Sequence, residues 1–161
     1  MPGPAAEAGG FARLRTFLLA IFVFGTAGTL IELLLLEHWD GWTQWTPIAL
    51  LAASLVVLAW HGLDPGVPSL RVFQGVMVLS IAGGLLGLVL HYRGNAEFEL
   101  EMSPALRGWA LFRDSMAGAT PALAPGTMVQ LGLLGLAYTF RHPALGASRA
   151  ARAGAGTAES S

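Results

Sequence analysis

Residues 72–90 read VFQGVMVLSIAGGLLGLVL, with no acidic or basic side chain. A helix of roughly 20 apolar residues crosses a hydrocarbon core about 30 Å thick, so this run predicts a transmembrane helix. Working outward, Phe17–Leu36 forms a second such run, interrupted only by Thr26, Thr29 and Glu32. Two shorter runs accompany them. Pro47–Trp60 reaches bilayer length if Trp42 and Trp45 serve as interface residues, and Gly126–Phe140 does so if it starts near Pro121. The expected fold is an all-α, polytopic integral membrane protein. Its four-transmembrane-helix bundle has spans at about 16–37, 46–61, 70–91 and 122–141. An outer interfacial helix belongs to the long 92–121 connection, between helices three and four. Residues 1–10 and 146–161, rich in Ala, Gly and Ser, read as disordered cytoplasmic tails.

Composition agrees with this layout. Of 161 residues, 54% are hydrophobic and only 12% are charged, where a soluble domain carries about 25% charge. Cysteine is absent, which excludes disulfides, thiolate metal sites and cysteine nucleophiles. Net charge is −1, so there is no basic footprint for nucleic acid. Neither GxSxG nor a P-loop occurs, and no GxGxxG follows a strand. These absences favour a non-enzymatic membrane subunit. Arg13 and Arg15 before Phe17–Phe24 resemble the start of a cleaved signal peptide. Apolar sequence resumes at Leu30, however, and completes a retained span.

Arginine placement sets the expected orientation. With four spans, Arg13, Arg15, Arg71, Arg141, Arg149 and Arg152 share the side of the termini, against Arg93, Arg107 and Arg113 on the other. Both termini are therefore expected in the cytoplasm, with the chain in the cell's inner (plasma) membrane. Thr46-Pro47 suggests an N-cap with proline opening helix two, and Asp64-Pro65-Gly66 a tight turn into helix three. In the outer connection, residues 93–101 alternate acidic and apolar side chains, a strand-like period that would align Glu97, Glu99 and Glu101 on one edge. Residues 104–117 suggest an amphipathic helix with Leu106, Trp109, Phe112 and Met116 on one face.

The candidate site starts from Glu32, an ionisable group within a span, which by default faces the bundle or a wet cavity. Gly25, Gly28, Thr29 and Glu32 share one arc of helix one. Ser80, Gly84, Gly87 and His91 share one face of helix three, and small residues mark close helix approach. If those two faces meet, Glu32 and His91 come within hydrogen-bonding reach, with Gln130 at a similar depth on helix four. His38 and Glu97 then join them as candidate ligands for a divalent metal, or the group relays protons. The four histidines also sort into two pairs, His38 with His91 and His61 with His142. Bis-histidine ligation at each face would suit a transmembrane b-type haem protein, the alternative reading. Four short helices enclose little room. A homo-oligomer or a membrane-complex partner is expected, docked on the glycine faces of helices three and four. A binding or permeation site at the outer mouth, or an accessory role, completes the expectation.

Overall fold

The computed structural model describes residues 4–118 and 121–146, and the expected C-terminal tail beyond Gly146 lies outside them. The chain forms α1 (Pro4–Leu35), α2 (Trp42–Leu63), α3 (Val67–Met102), α4 (Gly108–Met116) and α5 (Gly126–Thr139). Among the described residues there is no strand. Three helices of the described residues are long and apolar enough to cross a membrane: Gly9–Leu35 of α1, α2 and α3. The 14 residues of α5 cover only about 21 Å at 1.5 Å per residue.

Three expectations are corrected by the helix bounds. Residues 4–10 belong to α1 and are not a disordered tail. Helix two does not open at Thr46-Pro47: Gly41 caps it, and Pro47 lies inside α2. Residues 93–101 are not extended. The 36-residue α3 runs through them to Met102, about 54 Å in all, so its C-terminal third projects past a bilayer's thickness. The alternation of Glu97, Glu99 and Glu101 is overridden because helical hydrogen bonding continues unbroken from the span, and the described residues offer no partner strand to satisfy an extended backbone.

Packing is inverted relative to a water-soluble protein. Phe24 is 83% exposed, and Phe17, Val56, Leu79 and Leu85 also face outward. An apolar surface that continuous would be untenable in water and is the natural boundary with lipid. The interior mixes Phe22, Leu51, Leu70, Phe73 and Met77 with the buried hydroxyls of Thr26, Ser54, Ser69, Ser80 and Thr139. Most of these hydroxyls bond locally, Ser54 Oγ donating to the Leu50 carbonyl (2.7 Å) and Ser80 Oγ to the Val76 carbonyl (2.9 Å). That bonding makes a polar side chain tolerable inside apolar surroundings.

α1 and α3 each pack against both α2 and α5, so they oppose one another diagonally. They still touch at the centre, where the Phe22 and Phe73 rings meet edge to face with centroids 5.4 Å apart. The tightest seam joins α3 to α5. A methyl group added at Gly132 would stand 2.6 Å from Ile81 Cγ1 and 2.8 Å from the Met77 carbonyl; one at Gly84 would stand 2.8 Å from Val129 Cγ2. Such distances need glycine on both sides, the small-residue packing expected between membrane helices. The glycine face of α3 therefore meets α5, and not α1 as the sequence suggested. The same contact occupies the surfaces expected to serve self-association.

The connection between α3 and α5 folds back on α3. α4 buries Ser115, whose carbonyl accepts a 2.9 Å hydrogen bond from Asn95 Nδ2 of α3. Phe112 also reaches α3, its ring centroid 5.9 Å from that of Tyr92, while Trp109 faces outward. Trp109 and Phe112 stack with centroids 5.2 Å apart and both are exposed.

Candidate functional site

Between the ends of α1, α2 and α3 and the start of α5 lies a cavity of about 520 Å³, within the size range of small-molecule sites. Glu32 and Thr29 reach it from α1, His38 from the turn after α1, and Gln44 from α2. His91 comes from α3 and Thr127 from α5. Leu33, Leu50, Leu86 and Met128 supply apolar wall.

Local geometry explains how each polar group arrives. α1 ends in a Schellman-type turn: the Glu37 N–H donates to the Leu34 carbonyl (3.2 Å) and the His38 N–H to the Leu33 carbonyl (3.0 Å). Such turns prefer glycine at the left-handed residue, yet here Glu37 occupies it at φ 51°. The reversal folds His38 back over the cavity mouth. Gln44 is fixed where α2 begins, its Oε1 accepting from the Asp40 N–H at 2.8 Å. His91 lies 3.2 Å through Nδ1 from the Pro121 carbonyl oxygen. A carbonyl can only accept, so Nδ1 carries a proton and donates it, and Nε2 is the ring nitrogen left for a ligand or a proton.

The His38 imidazole is held below its ordinary pKa, first by burial and then by the nearby His91, with Asp40 partly opposing. Its neutral form is therefore favoured near neutral pH.

The structure brings together three of the five residues singled out from the sequence. Glu32, His38 and His91 share the cavity, but no ion pair joins Glu32 to His91 among the described residues. Glu32 is exposed on the open side of the cavity and does not point into the core. The inward stripe of α1 is Phe22, Thr26 and Leu33, because α1 packs on α2 and α5. Gln130 is exposed on α5 and Glu97 is exposed on the projecting part of α3; neither lines the cavity. Continuous helix carries Glu97 about 9 Å along the axis beyond His91. Among the described residues, no three His, Asp or Glu side chains stand close enough to share a metal ion. The polar edge contributed by α2 was missed, although Thr43, Thr46, Pro47 and Leu50 follow the i, i+3, i+4, i+7 spacing of one helical face.

The other histidine pair also meets. His61 and His142 stand edge to face, centroids 5.5 Å apart, and His61 Nδ1 is 2.8 Å from Ser69 Oγ. Rings in direct contact leave no gap for a macrocycle with iron between them, so this pair does not fit bis-histidine haem ligation. His142 is held below its ordinary pKa by burial first, then by His61 and Arg15.

No protein-family model matches the chain, and no significant match is found among curated proteins or solved structures.

Proposed function

We propose that the chain is a non-enzymatic, four-span membrane subunit whose outer cavity binds a small amphiphile with a cationic head. In this reading α5 completes the bundle as the fourth span, α4 lies at the outer interface, and both termini are cytoplasmic. The orientation rests on the arginines. Arg13, Arg15, Arg71 and Arg141 gather at the end where α1 starts and α5 finishes, opposite Arg93, Arg107 and Arg113. An oligomer or a membrane-complex partner remains part of the proposal, docked elsewhere than on the α3–α5 glycines.

The observation that carries the proposal is the cavity itself. An apolar wall with one carboxylate, two imidazoles and an amide at its open end matches a ligand that is greasy at one end and polar at the other. With His38 biased to its neutral form, the carboxylate of Glu32 on the cavity wall favours a cation. A metal ion is a poorer fit, since the ligating side chains do not converge.

A long-chain trimethylammonium amphiphile, titrated against the protein in nanodiscs, tests this, with Trp42 of the cavity wall as fluorescent reporter and Trp42→Phe as background. Glu32→Gln should weaken saturable binding by roughly tenfold, the scale of one charge-assisted contact. Wild-type affinity in both Glu32→Gln and His91→Ala, with the fold intact, overturns the reading.

A further inference from the structure

At the opposite end of the molecule a second, smaller cavity of about 220 Å³ is lined by Phe11, Arg15, Arg141 and Pro143. We propose that Arg15 and Arg141 bind a phosphate-bearing ligand there, and that its source is the headgroup of an anionic phospholipid.

Both arginines are held in place by contacts that leave most of their donors free. Arg15 Nη1 donates to the Arg141 carbonyl at 3.4 Å, which ties α1 to the segment after α5 and uses one of five guanidinium N–H groups. Arg141 sits in the left-handed region at φ 49°, with its guanidinium 5.5 Å from the Phe140 ring centroid. Among the described residues the ion pair Arg113–Asp114 is the only one, so no carboxylate described in the structure pairs with either arginine of the cavity. Two guanidinium groups on one cavity repel each other unless an anion lies between them. The planar fork of arginine suits the oxygens of a phosphate.

The surroundings favour a lipid over a free ion. Phe11 and Pro143 give the cavity apolar wall, and Phe140, against the Arg141 guanidinium, is exposed apolar surface. A headgroup held by the arginines would leave its acyl chains against that surface. Arg15 stands two positions before the apolar run of α1, and Arg141 follows the last residue of α5 by two positions. Both therefore sit at headgroup depth in the bilayer, where basic pockets between helices recruit anionic lipid.

The test uses the full chain in nanodiscs of phosphatidylcholine, with or without phosphatidylglycerol of the same acyl chains. Native mass spectrometry reads retained lipid and thermal unfolding reads stability. Wild type should retain phosphatidylglycerol selectively, and Arg15→Gln and Arg141→Gln should each lower that retention by roughly tenfold. Arg71→Gln removes the same charge at the same end but does not line the cavity, so it should behave as wild type. If the Arg71 variant loses as much as the others, attraction is diffuse and the site is refuted. Unchanged retention in both cavity variants refutes it as well. If inorganic phosphate alone protects wild type but not Arg15→Gln, and phosphatidylglycerol adds nothing, the lipid assignment fails. Arg15→Lys, which keeps the charge but loses the fork, serves where Arg15→Gln fails to insert; it should retain less phosphatidylglycerol than wild type, and equal retention counts against the site. None of these variants should alter amphiphile binding at the outer cavity, which separates the two proposals.

Discussion

His61 of α2 and His142, three residues past the end of α5, meet edge to face with ring centroids 5.5 Å apart. His142 Nδ1 is buried without a hydrogen-bond partner among the described residues. Burial first, and then the nearby His61 and Arg15, hold its pKa below the ordinary value. Because the folded value lies below the unfolded one of about 6.5, the unfolded chain takes up the proton first as pH falls. Stability is then full above pH 6.5 and is lost below it.

Thermal unfolding between pH 7.5 and 5.0 should therefore show a falling midpoint for wild type. His142→Phe, which keeps ring packing against Tyr138 and His61 without a titrating group, should flatten the slope. An equally steep profile in the variant would show that other groups govern the response; His38, shifted in the same direction at the far end, is the first to examine with His38→Gln.

The α3–α5 seam should be intolerant of added volume. Gly132→Ala places a methyl group 2.6 Å from Ile81 Cγ1 and 2.8 Å from a backbone oxygen, and should cost about 1–3 kcal/mol by overpacking. Gly28→Ala on α1 meets nothing within 4 Å, so it should be neutral or gain up to about 1 kcal/mol from helix propensity. Unfolding of both variants in a mild detergent gives the comparison, and equal effects would mean that the seam is not close-packed.

Attachment of α4 should depend on Asn95. Its side chain is buried and donates to the Ser115 carbonyl at 2.9 Å. Asn95→Leu removes that donor and should raise amide hydrogen exchange across residues 108–116 by about tenfold or more, the scale of a buried group left unsatisfied. Exchange confined to its wild-type rate would show that α4 is held by other contacts.

What the sequence determined by itself is the phase in which the chain dissolves. Nineteen consecutive uncharged residues at 72–90 demand a helix in lipid, since every backbone group must be satisfied within the segment. The sorting of the histidines into two pairs was also legible, because it needs only the direction of each span. The strand-like alternation at 93–101 misled, because a period of two also occurs by chance in a short acidic helix and only continuity with α3 decides the matter. Which faces meet was settled by tertiary packing. A glycine stripe announces a close neighbour without saying which helix it is, and α5, not α1, fills the notch at Gly84. With α1 turned toward α2 and α5, Thr26 is buried and Glu32 is left at the rim of a cavity. Gathering arginines from the start of α1 and the end of α5 likewise required the fold, since 126 positions separate Arg15 from Arg141 in the chain.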